Sequence, residues 1–233
     1  MKAYIAGKPL LSTTDWPSRV CCVVFFAGCN LRCRFCFNGP ILATEERFVV
    51  DLASVYAELT KQRFLVEAVI ATGGEPTLQP HCLRDLATWA HKNELLFGMM
   101  TNGTRPQVLG QLLVDRLLDY VAVDIKTVPK VEAYSHITQS EEDLLTPIKE
   151  TIKLVKQSRV ENEFRTTLVP GLIDTPNQIS RIRRWVGTEN YVLQAFIPKD
   201  GVLDPELRER SFTPQALSDL REYGRRNGIG VRF

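Results

Sequence analysis

Short apolar runs alternate with amphipathic segments along the chain. The runs have the length and the β-branched content of buried strands, and the segments between them repeat apolar positions every three or four residues, as helices do. Strands are predicted at 20–27, 67–72, 96–100, 120–123, 163–169 and 191–196. Helices are predicted after Asp51, over 83–93, 106–118, 130–137 and 147–157, after Thr175, and over 214–226. Strands that alternate with helices at this spacing indicate βα units and a parallel sheet.

Six βα units fit the 233 residues. A complete eight-stranded barrel typically takes about 250 residues, so the length favours an α/β fold of the partial (β/α)6 barrel type or an open curved sheet. We expect residues 1–233 to form a single domain, with irregular or short β structure over 1–19. Helix starts are predicted at Asp51 and at three Thr-Pro pairs, Thr146-Pro147, Thr175-Pro176 and Thr213-Pro214, since threonine caps and proline suits the first turn.

Composition narrows the class of protein. The chain is 44% apolar and 24% charged, with a formal net charge of +2, and it contains neither a signal-peptide pattern nor an apolar stretch long enough to span a bilayer. We therefore expect a cytoplasmic protein without membrane contact. Its arginine-rich stretches, 181–184 and 221–226, have the pattern of solvated helix faces and lack interleaved aromatic residues, so nucleic-acid binding is not expected.

Three of the six cysteines lie within eight residues, at the end of the first predicted strand. Cys29, Cys33 and Cys36 follow Gly28, so the pattern places them on a loop. In a reducing compartment such a group indicates a soft metal centre. A structural zinc site would need a fourth ligand, and the candidates are poor, because Cys82 and His81 lie far along the chain and Cys21-Cys22 is inside an apolar strand. Three cysteines on a four-iron cube leave one iron open.

Polar or glycine-rich segments follow each of the later predicted strands. They include a turn at 73–76, Thr101-Asn102, Asp124 with Lys126, Arg165 and Gln194. The carboxyl ends of parallel strands meet at one edge of a sheet or barrel, which is where such folds place their active sites. We therefore expect these residues to lie on the same face as the three cysteines.

These motifs carry a resemblance to a known family. The Cys-x3-Cys-x2-Cys spacing with Phe35 before the third cysteine, followed by Gly73-Gly74-Glu75-Pro76, resembles the radical S-adenosylmethionine superfamily. Further segments resemble the glycyl-radical-enzyme activating enzymes, and among them the activating proteins of anaerobic ribonucleoside-triphosphate reductase. These segments are Asp15-Trp16-Pro17-Ser18, Thr72–Gln79, Thr101-Asn102-Gly103, Tyr120–Lys126 and Arg165-Thr166-Thr167 with Pro170-Gly171.

The resemblance implies a cofactor pair and a reaction. Cys29, Cys33 and Cys36 would hold a 4Fe-4S cluster whose open iron binds S-adenosylmethionine, and one-electron reduction would yield methionine and a 5'-deoxyadenosyl radical. The protein itself would supply binding and electrostatics. The implied cofactor-binding residues are Phe35, Asn38, Gly73, Gly74, Glu75, Pro76, Thr101, Asn102, Asp124, Lys126, Arg165 and Gln194.

Some of these residues have an expected role. Phe35 would contact the adenine, and the Gly73-Gly74 turn would allow the methionine amino group to approach the backbone. Lys126 or Arg165 would meet the methionine carboxylate, and Asp124 with Thr101 would bind a cation or polar parts of the cofactor. Two departures stand out: Met100 replaces an acidic residue common before the Thr-Asn-Gly, and Phe37 replaces a frequent histidine.

The resemblance also implies partners. The main hypothesis is an activase that removes a hydrogen atom from a glycine of a glycyl radical enzyme, anaerobic ribonucleotide reductase being the favoured one, with an electron from flavodoxin or ferredoxin. One alternative is a radical S-adenosylmethionine enzyme that acts on a small molecule, as 7-carboxy-7-deazaguanine synthases do. Another is a metal-binding interaction module without turnover, against which the polar residues at the strand ends argue.

Overall fold

The computed structural model of the chain describes residues 1–187 and 190–233, and within these it contains ten strands and seven α-helices. The strands are β1 (Lys2–Tyr4), β2 (Leu10–Ser12), β3 (Cys21–Phe26), β4 (Val49–Asp51), β5 (Ala68–Gly73), β6 (Leu96–Thr101), β7 (Tyr120–Asp124), β8 (Glu161–Leu168), β9 (Tyr191–Ala195) and β10 (Gly230–Arg232). The helices are α1 (Leu52–Gln62), α2 (Pro80–Lys92), α3 (Pro106–Val114), α4 (Val131–Thr138), α5 (Leu145–Gln157), α6 (Pro176–Val186) and α7 (Pro214–Arg226).

Eight of the described strands form one sheet in the order β10-β9-β8-β7-β6-β5-β3-β2. Each neighbouring pair from β3 to β10 is parallel, and only β2 is antiparallel to its neighbour. The six predicted strands are confirmed and occur in chain order, which agrees with a partial (β/α)6 barrel. The chain ends add a strand at each edge, and β1 and β4 pair separately.

The two faces of the sheet bury different sets of side chains. Successive residues of a strand point to opposite faces, so Val24, Val69 and Val121 belong to the large outer core that the helices cover. The smaller inner core contains Val23, Ile70 and their neighbours, together with the stacked rings of Trp16 and Tyr120. Their ring centres are 4.7 Å apart, and Trp16 is 1% exposed, so the loop before β3 fills part of the inner face.

Helix starts agree with the sequence at most positions. The carboxylate of Asp51 accepts a hydrogen bond from the backbone N–H of Ala53 at the start of α1, and Thr213 caps α7 in the same way. Thr175 forms a complete capping box with Gln178 at the start of α6. Such caps satisfy N–H groups that have no partner within the helix.

The predicted cap at Thr146 is wrong. Helix α5 begins at Leu145, two residues before the predicted start at Pro147, and the backbone N–H of Leu145 donates to the carboxylate of Asp143, 2.9 Å away. The hydroxyl of Thr146 donates to the same carboxylate at 2.6 Å. Asp143, two residues before Leu145, therefore accepts the hydrogen bond at the helix start that was expected of Thr146.

Three other predicted boundaries are also corrected. Helix α3 ends at Val114 rather than near 118, because Arg116 has the left-handed φ of 54° that stops a helix. Helix α2 begins at Pro80, three residues before the predicted start, since proline suits the first helical turn. Strand β8 begins at Glu161 because Glu161 pairs with Tyr120 of β7, although the apolar run starts later.

No helix among the described residues is both long and apolar enough to cross a membrane.

Candidate active site

The cysteine loop, residues 28–38, leaves the carboxyl end of β3 through a glycine in a strained backbone conformation. Gly28 has a φ of 95°, which favours glycine, and a side chain there would come within 2.8 Å of Thr44. The backbone N–H groups of Gly28 and Cys29 donate to the carbonyls of Ile41 and Leu42, at 2.8 and 3.0 Å. These bonds fix the start of the loop.

The rest of the cysteine loop is held by segments that are distant in sequence. The N–H groups of Arg32 and Arg34 donate to the carbonyls of Thr138 and Ile137 at the end of α4, each at 2.9 Å. On the other side, residues 203–204 donate to the carbonyls of Cys36 and Arg34, at 3.0 and 2.9 Å. The loop is therefore held by two later segments of the chain, the end of α4 and residues 203–204.

The three thiols of the cysteine loop are largely buried, and one ammonium group acts on all of them. Burial raises the pKa of Cys29 to about 11 and that of Cys33 to about 12, and it also raises the pKa of Cys36. The positive charge of Lys126 acts in the opposite direction on the pKa of all three thiols. The charge of Lys126 therefore favours the thiolate form of all three cysteines.

The donor set fits an iron–sulfur cluster with one open iron. In the part of the chain that the structure describes, no three His, Cys, Asp or Glu side chains are placed to hold a single metal ion. A cluster distributes its thiolates over separate irons and so needs them farther apart. Cys82 donates to the carbonyl of Lys2, 3.4 Å away, and Cys21-Cys22 is buried in β3, so these cysteines do not supply a fourth ligand to the loop.

The Gly73-Gly74 turn packs directly on the cysteine loop. A Cβ atom on Gly73 would lie 2.3 Å from the carbonyl oxygen of Phe26, and one on Gly74 would lie 2.1 Å from that of Gly28 and 3.3 Å from the Cβ of Cys29. The backbone N–H groups of residues 74 and 75 donate to these two carbonyls, each at 2.8 Å. The glycines thus allow β5 to approach the first cysteine.

Glu75 is wholly buried and connects two strand ends. One carboxylate oxygen accepts from the hydroxyls of Thr77 and Thr101, at 2.6 and 2.8 Å, and from the N–H of Thr77. The other accepts from the N–H of Asn102 at 2.7 Å. Burial raises the pKa of Glu75, and these hydrogen bonds oppose that shift. This geometry supports a positioning role for Glu75 and Thr101 rather than direct contact with a ligand.

Two asparagines join the strand ends to the cysteine loop. The side-chain amide of Asn102 donates to the Oδ1 of Asn30, 3.0 Å away, and lies 4.0 Å from the Sγ of Cys29. The side-chain amide of Asn38 donates to the carbonyl of Gly73 at 2.9 Å. Both predicted residues therefore lie in or against the cysteine loop, and Asn30 is an addition that the sequence did not predict.

Asp124 and Lys126 form an ion pair beside Phe35. The Nζ of Lys126 lies 2.9 Å from the Oδ2 of Asp124 and 5.9 Å from the ring centre of Phe35. Although burial favours the neutral amine, Asp124 and the neighbouring cysteines raise the pKa of Lys126. Lys126 therefore remains a cation at the cysteine loop, where an anionic group could bind.

Arg165 is engaged on the inner face of the sheet. Its Nε donates to Glu163, its Nη1 lies 3.4 Å from the sulfur of Met100, and its Nη2 donates to the hydroxyl of Tyr120 at 2.6 Å and to the carbonyl of Asp15 at 2.9 Å. Of the two cations expected to meet a carboxylate, Lys126 is thus the one beside the cysteines. Met100 places a neutral sulfur against the guanidinium.

The last two predicted residues lie at strand ends in different settings. Pro76 begins a short 3₁₀ turn, Pro76–Leu78, directly after the glycines. Gln194 in β9 is half-buried and is the register partner of Thr167 and Arg232 on the neighbouring strands.

Comparison with known proteins identifies the class. Residues 23–186 match the model of the radical SAM superfamily, and the chain therefore belongs to that superfamily, whose enzymes use a 4Fe-4S cluster and S-adenosylmethionine. The chain is similar over nearly its whole length to a candidate glycyl-radical enzyme activating enzyme of Methanocaldococcus jannaschii. The two are 30% identical over 226 residues, which are 97% of this chain and 92% of that protein.

Two further comparisons agree with this result. The pyruvate formate-lyase 1-activating enzyme of Escherichia coli strain K12 is 27% identical over 177 residues, which are 73% of this chain and 69% of that enzyme. A radical SAM methyltransferase from Sphaerobacter thermophilus has a similar structure, with a TM-score of 0.69 and 15% sequence identity over 99% of this chain and 76% of that one. The structural likeness supports the fold alone.

Proposed function

We propose that the protein is an activase that generates a glycyl radical on a partner enzyme. The observation that carries the proposal is the loop at the carboxyl end of β3, which contains three cysteines and places Phe35 5.9 Å from the ammonium group of Lys126. The near full-length similarity to a candidate activating enzyme supports the choice of substrate class.

In this proposal the residues in and beside the cysteine loop have separate roles. Cys29, Cys33 and Cys36 hold the cluster, and Lys126 pairs with the carboxylate of S-adenosylmethionine while Phe35 offers apolar surface to its adenine. When bound, the cluster and S-adenosylmethionine would supply the one-electron radical chemistry that activates a glycine of the partner, and the residues named here would hold and orient the two cofactors.

A second group of residues prepares the site. Glu75 holds the ends of β5 and β6 together through buried hydrogen bonds, and Asn102 and Asn38 connect those ends to the cysteine loop. Such supporting contacts fix the orientation of metal ligands and limit the motion of the loop.

The proposed partner is anaerobic ribonucleotide reductase, and the proposed electron donor is a flavodoxin or a ferredoxin. The choice of reductase follows from the distributed motifs around Asp15-Trp16-Pro17-Ser18, Thr101-Asn102-Gly103 and Tyr120–Lys126. The similarity to a pyruvate formate-lyase activating enzyme supports the wider class of glycyl radical partners.

Anaerobic reconstitution tests the chemistry. The full chain is loaded with iron and sulfide, reduced with dithionite and incubated with S-adenosylmethionine, and 5'-deoxyadenosine is measured by chromatography. We expect formation that depends on all three cysteines, so that Cys29→Ala abolishes it. Product that is absent from the wild-type protein, or equal in the Cys29→Ala variant, would overturn the radical chemistry.

A second experiment identifies the hydrogen donor. The reconstituted protein is mixed with the anaerobic ribonucleotide reductase of the same cell, and electron paramagnetic resonance is used to detect a glycyl radical. We expect a signal that requires S-adenosylmethionine and reductant. A protein that forms 5'-deoxyadenosine yet gives no protein radical would contradict the activase assignment and favour a small-molecule substrate.

A further inference from the structure

Charged side chains of alternating sign cross the inner face of the sheet toward the cysteine loop. Arg232 in β10 pairs with Glu163 in β8, and Glu163 pairs with Arg165 two residues farther along β8. Asp124 and Lys126 continue the series at the end of β7. We call these five residues the charge chain.

The first half of the charge chain is tightly bonded and buried. The guanidinium of Arg232 contacts both carboxylate oxygens of Glu163, with 2.8 Å between Nη1 and Oε1. The side chains of Glu163 and Arg165 are each only 6% exposed. Although burial opposes ionisation, the two arginines lower the pKa of Glu163, which stays a carboxylate. Charges act over longer distances in such surroundings than in water.

The second half links Arg165 to the cofactor site. Asp124 and Arg165 are register partners on adjacent parallel strands, so their side chains project from the same face of the sheet. Asp124 stabilises the charged form of Arg165 and also binds Lys126, whose ammonium is 2.9 Å away. Asp124 therefore contacts one cation, Lys126, directly and lies on the strand next to the other, Arg165.

We propose that Arg232 is a positioning residue for the cofactor site. It acts through the charge chain to keep Lys126 available for the carboxylate of S-adenosylmethionine. This inference rests on the proposed function, in which Lys126 binds that carboxylate, and it extends the working site to β10 at the edge of the sheet.

The direction of the effect follows from the alternation of charge. Arg232 neutralises Glu163, and without it the full negative charge of Glu163 acts on Arg165 and weakens the attraction of Arg165 for Asp124. Asp124 then pairs more strongly with Lys126, which leaves Lys126 less able to bind a ligand carboxylate. Removing the charge of Glu163 has the reverse effect, because Arg165 then attracts Asp124 more strongly.

The test compares variants of the two ends of the Arg232–Glu163 pair. The dissociation constant for S-adenosylmethionine is measured by anaerobic calorimetry on the reconstituted full chain. We expect Arg232→Gln to raise this constant about three- to tenfold, the range of coupled charges in one network. We expect Glu163→Gln to lower it, and the double variant to return to within about twofold of the wild-type value.

Two further variants separate positioning from folding. Arg232→Lys keeps the charge but loses the two-pronged contact, so we expect it to lower the melting temperature while the dissociation constant stays within about twofold. This comparison with Arg232→Gln holds even if Glu163→Gln does not fold. Arg226→Gln removes the same charge from an exposed pair with Glu222 and should change neither quantity.

The outcomes are distinct. A dissociation constant that is unchanged in Arg232→Gln, or that moves the same way in Arg232→Gln and Glu163→Gln, would overturn the positioning role and leave a purely structural one. A wild-type protein with a complete iron content that binds no S-adenosylmethionine would instead overturn the proposed function. Iron content and melting temperature, measured on every variant, provide the readouts that do not depend on turnover.

Discussion

At the scale of single residues, the site depends on two glycines, Gly73 and Gly74, because no side chain fits at either position. Gly73 has a φ of 116°, and both glycines of the turn lie against the backbone that leads to Cys29. A side chain at either position would push β5 away from the cysteine loop. The glycines therefore set the distance between the first cysteine and the end of the second strand of the parallel series.

A methyl group at Gly74 tests this contact. Gly74→Ala places a Cβ 2.1 Å from the carbonyl oxygen of Gly28, so the backbone must shift. We expect unfolding to become easier by about 1–3 kcal/mol, the usual cost of overpacking, and the iron content after reconstitution to fall. Thermal unfolding and iron analysis measure the two effects.

Gly110 offers the matched control. It lies within α3, and a Cβ there would make only an ordinary contact with Leu154, at 3.6 Å. Gly110→Ala should stabilise the protein by about 0.5–1 kcal/mol through helix propensity and leave the iron content unchanged. Equal iron loss in both variants would show that the turn has no special relation to the cysteine loop.

At the scale of elements, identical dipeptides have different roles. Thr146-Pro147 and Thr175-Pro176 both lie at the start of a helix, and both threonines are exposed. Thr175 accepts from the backbone N–H of Gln178, whose side chain accepts from the N–H of Thr175 in return, while Thr146 only donates to Asp143. The capping energy is therefore expected at one pair and not at the other.

Alanine at the two threonines measures this difference. Thr175→Ala removes the acceptor of the capping box and should destabilise the protein by about 1 kcal/mol. Thr146→Ala leaves the hydrogen bond between Asp143 and Leu145 in place and should cost clearly less. Chemical denaturation of the two variants gives both values, and equal losses would contradict the assignment of the caps.

At the scale of the whole molecule, the cysteine loop after the first parallel strand contacts a segment that follows the strand β9. Arg34 pairs with Asp204, 170 positions later in the chain, at 2.7 Å, and both side chains are largely buried. Its Nη1 also lies 2.6 Å from a ring nitrogen of His136. These long-range contacts link the cysteine loop to α4 and to the segment between β9 and α7.

Loss of the Arg34–Asp204 pair should loosen the cysteine loop. In Arg34→Met we expect iron to pass to a chelator at least about tenfold faster than in the wild-type protein, since a partly buried charged hydrogen bond typically contributes about 1.5–3 kcal/mol. Arg47→Met, which removes an exposed pair with Glu45, serves as the control. Equal iron release from the two variants would show that the pair does not restrain the loop.

Much of this arrangement could be predicted from the sequence. The cysteines, the Gly-Gly turn and the strand-end pair of Asp124 and Lys126 are local features, and parallel topology brings them to one edge. The position of Arg165 could not be predicted in the same way, because it depends on the register of β8 against β7. The pairing of Arg232 with Glu163 depends on β10 joining the sheet beside β9, and no local sequence pattern predicts that position.

The clamp on the cysteine loop has a consequence for the order of events during synthesis. Residues 203–204 supply hydrogen bonds to the carbonyls of Arg34 and Cys36, so the loop cannot reach its final form until the chain has been made to that point. Arg34, within the cysteine loop, is synthesised 170 residues before its partner Asp204. The final geometry of the cysteine loop therefore requires most of the sheet to be in place, and a cluster that needs this geometry is expected to assemble late.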